Sequence, residues 1–272
     1  LLRRARRRRR PAFEPLEPAL LPQFLAAYQG LARVQDPAER SLRDRLEQLM
    51  GWPAESCAWE EDILPARIPG YDPRDLDRLV EESELVWFGC GRSRLGFCFS
   101  GEVDLFREQV SADQDREGGE RELGALFPDT RGRYTFGDLR AHTGMPAPVL
   151  MERLWDLAWR GLVTNDRFEA VRRETAGGFG TERGGSGAAR GITEPRFPRA
   201  LRADRWRSPY PGAWYALPRV AGSRDAGSWE RVPLDPVERE EMDRERVRRL
   251  LERYGGLFRE LTAQGAAPLG WG

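Results

Sequence analysis

Apolar residues between Phe13 and Gly51 recur at helical spacing. Phe24, Tyr28, Leu31 and Val34 fall near one period, and Leu42, Leu46 and Leu49 continue it. Gly51-Trp52-Pro53 ends that run. Trp59, Ile63 and Leu64 predict a short helix stopped by Pro65. Tyr71-Asp72-Pro73 opens another helix. The Asp72 carboxylate can accept from free amides of the first turn, Pro73 already has the φ that position needs, and Asp75 suits the positive end of the helix. Leu76, Leu79 and Val80 supply its buried face. Leu85-Val86-Trp87-Phe88 reads as a strand ended by Gly89, Gly91 to Gly96 as a turn with Arg92 and Arg94 at its tip, and Phe97-Cys98-Phe99 as the returning strand.

The pattern recurs from Leu123 to Arg173. Ala125, Leu126 and Phe127 belong to a first helix, and Arg133-Tyr134 is a short extended piece. Thr135-Phe136-Gly137-Asp138 has the form of a capping box. Thr143-Gly144-Met145-Pro146 is a turn. A helix then runs from Ala147 to Arg160 with Leu150, Leu154 and Leu157 on one face, and Gly161 stops it. Leu162-Val163-Thr164 is a strand, and Asn165-Asp166 starts the wing or shapes a turn. Helix, helix, hairpin is the order of a winged helix, in which the last helix reads nucleic acid. The expected fold class is therefore mainly α with small β-hairpins (α+β), built as tandem winged-helix, or helix-turn-helix, domains. The expected division is a helical segment with an Arg-rich arm (1–51), a first winged helix (52–110), a second (111–174), a flexible Gly/Arg-rich linker (175–205) and the start of a third, truncated winged helix (206–272). Ala213 to Leu217 is read as a strand of that third unit, and Pro236 to Thr262 as its long charged helix.

Charge and chemistry narrow the function. The 44 basic residues are all arginine and are balanced by 44 acidic ones. Without lysine there is no P-loop lysine for ATP, no Schiff base and no lysine general base. Arg3, Arg4 and Arg6 to Arg10 form a dense block that reads equally as a nucleic-acid-binding stripe and as a solvated arm. Cys57, Cys90 and Cys98 form no C-x-x-C pair and suit reduced thiols of a cytoplasmic protein. His142 belongs to a helix end, and neither pairing nor spacing supports a metal site. No apolar run approaches the roughly 18 residues of a membrane span. The chain opens on Leu1, not Met, which suggests an end cut from a longer protein.

Several stretches resemble the region after the motor core in the large helicase-related (Lhr) family of DEAD/DEAH-type ATP-dependent DNA helicases. They are Phe24 to Gln29 (FLAAYQ), Ile63 to Leu79 (ILPARIPGYDPRDLDRL), Glu84 to Gly89 (ELVWFG), Leu154 to Arg172 (LWDLAWRGLVTNDRFEAVR) and Leu251 to Leu261 (LERYGGLFREL). The resemblance implies a parent that moves along single-stranded DNA, unwinds DNA or RNA–DNA duplexes and serves DNA repair. ATP and Mg would bind its RecA-like domains, leaving this chain with no catalytic residue and no cofactor of its own. Some members carry uracil-DNA glycosylase activity in a region similar to AlkZ-type glycosylases. Val34-Gln35-Asp36 departs from the Gln-x-Gln or Gln-x-Asp signature of those enzymes, because Gln and Asp are adjacent; it reads as an exposed polar pair.

Single strands are held by arginines on phosphates and aromatic rings on bases. The candidate contacts are Arg92, Arg94, Arg131, Arg133, Arg153, Trp155, Trp159 and Arg160. For Trp155 and Trp159, core packing against the leucine face is the competing role. Winged helices also assemble proteins into oligomers, and a zero net charge favours that alternative.

Overall fold

The computed structural model describes residues 17–32, 41–110, 116–176, 210–217 and 235–257. The Arg-rich arm, Val34-Gln35-Asp36, the Gly/Arg-rich linker from residue 177 and the chain after Leu257 lie outside the described residues.

Helix α1 (Leu21–Tyr28) is followed by α2 (Leu42–Gln48), which starts at a capping box between Ser41 and Asp44. The expected inward face of α1 is not inward: Phe24 and Leu31 are exposed, and Tyr28 is half-buried. Strand β1 (Ala54–Glu55) leads to a tight helical turn at Trp59–Ile63. Helix α3 (Pro73–Glu82) begins as its sequence predicts, with the Asp72 carboxylate accepting from the Arg74 amide. It buries Leu76 and Val80. Strands β2 (Leu85–Gly89) and β3 (Arg94–Phe99) pair antiparallel with Trp87 opposite Phe97, in a sheet of order β1-β3-β2. The pairing continues to Gly89 opposite Leu95, so β3 starts earlier than expected and only Cys90 to Ser93 make the tip. Arg94 therefore lies in the strand. Helix α4 (Val103–Val110) closes this first unit.

The second unit holds α5 (Arg116–Leu126), β4 (Tyr134–Thr135), α6 (Phe136–Thr143), α7 (Ala147–Trp159), β5 (Val163–Asn165), α8 (Phe168–Thr175) and β6 (Ala213–Ala216). The Thr135/Asp138 capping box sets α6, and Gly144 ends it at φ 66°. Gly161, at φ 68°, ends α7. Leu150, Leu154 and Leu157 are all fully buried. The sheet order is β4-β6-β5, so each sheet places its third strand between the first and second. The fold class is thus mainly helical with small antiparallel sheets.

Two expectations about this half are corrected. Asn165-Asp166 does not lead into a short wing, because α8 follows and buries Phe168, Ala170 and Val171. Nor does Ala213–Ala216 open a third unit: as β6 it pairs with both β4 and β5 and buries Trp214. The last helix, α9 (Pro236–Tyr254), packs on α2 and α4 of the first unit. It buries Leu250 and Arg253, and the Arg253 guanidinium donates to the Met50 carbonyl. Tyr28 Oη on α1 in turn donates to the Glu252 carbonyl at 2.6 Å.

The two units share one continuous core. Strand β2 sits at the edge of its sheet, yet all five of its residues are buried. Helix α7 and strand β5 of the second unit cover it. Trp87 Nε1 donates to the Asn165 carbonyl at 2.9 Å, and Thr164 Oγ1 donates to the Trp87 carbonyl at 2.8 Å. Gly89 allows the close approach, since a Cβ there would lie 2.0 Å from the Ala158 carbonyl oxygen. Gly89→Ala should therefore push α7 off the strand and lower stability by about 1–3 kcal/mol in urea unfolding. Gly101→Ala, where a Cβ meets nothing within 4 Å, should stay within about 0.5 kcal/mol of the parent.

Candidate nucleic-acid interface

The expected contact residues divide into exposed and committed groups. Arg92 is exposed at the hairpin tip. Burial raises the pKa of Glu174, and the Arg92 charge partly counters that rise. Arg94 is exposed but donates to the Pro53 carbonyl at 3.1 Å, which ties β3 to the approach of β1. Arg131 is exposed in the turn before β4, where its amide donates to Asp129 Oδ1. The Arg133 guanidinium lies 4.2 Å from the ring centroid of Tyr215. Arg153 is exposed on α7 beside Glu152 and has no ion pair among the described residues.

The other three candidates have partners within the protein. Trp155 is only 4% exposed. It stacks on Trp87 at 6.0 Å and on Trp159 at 5.2 Å, and meets Trp214 edge-on at 5.1 Å. No face of that ring is left for a base. Trp159 is half-buried, and its carbonyl accepts from the Gly91 amide at 3.0 Å. Arg160 forms ion pairs with Glu122 at 3.0 Å and Asp156 at 3.1 Å, so its charge is answered within the protein. The spacing of Trp155 and Trp159 leaves packing and stacking both open; the structure buries Trp155 against Trp87 and Trp214 and leaves Trp159 half-buried. Trp155→Ala should cost about 3–5 kcal/mol in thermal or urea unfolding, as for other buried aromatic deletions.

A buried ionic cluster escaped the sequence reading. Arg172 on α8 is 8% exposed as a side chain and its partner Glu60 is 9% exposed. Arg172 donates from Nε to Glu60 Oε2 at 2.5 Å, from Nη2 to Glu60 Oε1 at 2.9 Å, from Nη1 to Asp77 Oδ2 at 2.8 Å and from Nη2 to the Pro73 carbonyl at 3.0 Å. Tyr71 Oη adds a bond to Glu60 at 2.7 Å. Burial disfavours the Arg172 charge, but the two carboxylates outweigh it and raise the pKa. Burial, then the Glu60 carboxylate, also raises the Tyr71 phenol, which remains a donor. A second pair, Arg167 to Glu81 at 2.8 Å, runs between α8 and α3 at the surface. In the order of elements α3 is the third helix of its unit, and α8 covers it. The signal was invisible because a charge near the end of a helix reads as solvated until its burial is known. Arg172→Met should leave two carboxylates uncompensated and cost about 3–5 kcal/mol in chemical denaturation.

A cleft of about 920 Å³ opens where α6 begins, lined by Phe136, Gly137, Arg140, Asp166, Tyr210 and Ala213 among others. Phe136 and Tyr210 stack with ring centroids 3.8 Å apart. Sequence reading used Phe136 and Gly137 only as parts of a capping box. Nucleophilic chemistry finds little support: burial pushes the Cys90 thiol up to about 12 and raises Cys98 as well. Burial, then the nearby Glu61 carboxylate, also raises Cys57. Among the described residues no three His, Cys, Asp or Glu side chains converge as a metal site, and no helix is long and apolar enough to cross a membrane.

Comparison with known proteins places this arrangement. Residues 16–107, which contain the whole first unit up to the start of α4, match the winged-helix domain of large helicase-related protein. A protein of Mycolicibacterium smegmatis described as "Lhr helicase/ probable uracil glycosylase" is 30% identical over 235 residues, 80% of this chain. An Escherichia coli "Lhr helicase/uracil glycosylase" is 28% identical over 244 residues, 83% of this chain. The chain spans about 15% of the length of each of these relatives. The chain is thus similar to the large helicase-related family over most of its own length.

Proposed function

We propose that this chain is a nucleic-acid-binding and domain-coupling part of a large helicase-related DNA helicase, built from two winged helices in tandem. The observation that carries this reading is the seam between the units. Two sheets of identical strand order share one core, and Arg172 is held by acceptors on the other unit. Such a body transmits force as one piece. The partners proposed for it are single-stranded DNA, an RNA–DNA hybrid and the helicase's own RecA-like domains, in the cytoplasm. ATP and Mg belong to those domains, since this chain contains no lysine for a phosphate loop. Exposed Arg153 on α7 and Arg92 at the hairpin tip are the proposed phosphate contacts.

Fluorescence anisotropy with a labelled single strand at two salt concentrations tests this. Removing one arginine that neutralises a phosphate should flatten the slope of log affinity against log salt by roughly 0.7. Arg153→Ala should do so and Arg160→Ala should not, because Arg160 is already paired. An unchanged slope for Arg153→Ala removes α7 from the interface. Uracil excision by this chain alone should be undetectable.

A second reading, self-assembly, draws on Phe24 of α1 at 48% exposure and on Val247 and Leu251 exposed on α9, the helix to which α1 is bonded. Light scattering on the isolated chain separates it from the first.

A further inference from the structure

We propose that the cleft at the start of α6 takes one unstacked nucleotide of a bound single strand. This rests on the nucleic-acid reading above and gives it a definite place. The cleft is open to solvent, and its volume of about 920 Å³ lies within the roughly 300–1,000 Å³ of small-ligand sites. Tyr210 is half-buried and lines the cleft, and buried Phe136 braces it from behind at 3.8 Å. A braced ring loses little freedom when a base stacks on it, and every base offers a flat face for this purpose.

The charges around the cleft sort themselves. Arg167 is held by Glu81 at 2.8 Å, and Glu169 by Arg173 at 2.5 Å. Asp166 Oδ1 accepts from the Ala213 amide at 2.7 Å. Thr135 Oγ1 and Asp138 Oδ2 are spent on each other in the capping box. Asp166 keeps its charge at one side of the cleft, and Arg140, exposed and lining it, is the cation there with no ion pair among the described residues. A cation with free donors beside a braced aromatic ring suits a phosphate joined to a base. It suits a neutral apolar ligand poorly.

The cleft also depends on a missing side chain. A Cβ at Gly137 would meet nothing nearer than Thr135 Oγ1, at 3.6 Å, and the residue is not in the left-handed region. Glycine in the first turn of a helix is unfavourable relative to most residues, so Gly137 leaves space there at some expense of helix stability. A larger residue there would project into the cleft from the first turn of α6.

That gives a direct experiment on the whole chain. A short single strand carrying 2-aminopurine reports stacking by its fluorescence, and anisotropy reports affinity. Gly137→Leu should melt no lower than the parent, weaken binding roughly 5- to 150-fold, the worth of one stacked base, and abolish the 2-aminopurine change. Tyr210→Ala should act the same way. Arg140→Gln should weaken binding and flatten the salt slope while keeping part of the fluorescence change. Gly101→Leu, at an open position elsewhere, should bind like the parent. Parent-like affinity and fluorescence in both Gly137→Leu and Tyr210→Ala overturn the site alone. Failure of the unaltered chain to bind the strand overturns the broader reading together with it. Should Gly137→Leu misfold, Tyr210→Ala and Arg140→Gln decide between these outcomes.

Discussion

Strand β2 is apolar on both faces and lies at the edge of its sheet, and a strand of that kind must be covered. A run such as Leu85-Val86-Trp87-Phe88 without alternation belongs to a strand buried on both sides. The first unit alone supplies one cover. The second unit supplies the other, through α7, β5 and the rings of Trp155 and Trp214. Aromatic pairs add roughly 0.5–1.5 kcal/mol each beyond the area they bury. Much of the second unit's layout follows from this demand. The leucine face of α7 packs inward, Trp155 crosses the seam, and Gly89 and Gly161 let two backbones approach where no side chain would fit.

The buried ionic cluster answers a different demand. A hydrophobic seam holds two units together but allows them to slide; fixed hydrogen bonds set the register. Arg172, Glu60 and Asp77 meet that need with a planar guanidinium whose five donors suit convergent acceptors. The cluster also assigns α3 a role. The third helix of a winged helix ordinarily lies in the DNA groove. Here Asp77 and Glu81 on that helix pair with Arg172 of α8 and with Arg167 just before it, so the neighbouring unit packs against α3.

Much of the local structure was legible. The capping residues Asp72, Thr135 and Asp138 and the helix stops at Gly144 and Gly161 act as their chemistry predicts. Those signals work within a few residues and need no knowledge of distant chain. The largest misreading involves partners remote in sequence. Asn165 Nδ2 bonds the Pro211 carbonyl across 46 positions, and β6 fills the middle of its sheet from equally far away. No local pattern could say that Ala213–Ala216 belongs with Val163–Asn165. The surface was legible only by residue type. Arginine marks a candidate phosphate contact, but whether it meets phosphate, as proposed for Arg153, or carboxylate, as Arg160 does, depends on what folds beside it. The Phe136–Tyr210 cleft was illegible for the same reason, since its two rings lie far apart in the sequence.

The same long connection bears on the order of assembly. In the second sheet the central strand comes last of the three, and its two neighbours are joined through it. Closing so large a loop has an entropic cost, and contacts of wide sequence separation slow folding. Helix α8, anchored on α3 by Arg172 and Arg167, shortens the loop that β6 must close. Nascent chain that has emerged only as far as α8 would therefore already hold its two units together while β4 and β5 wait apart, with the slot between them open until Ala213–Ala216 arrives.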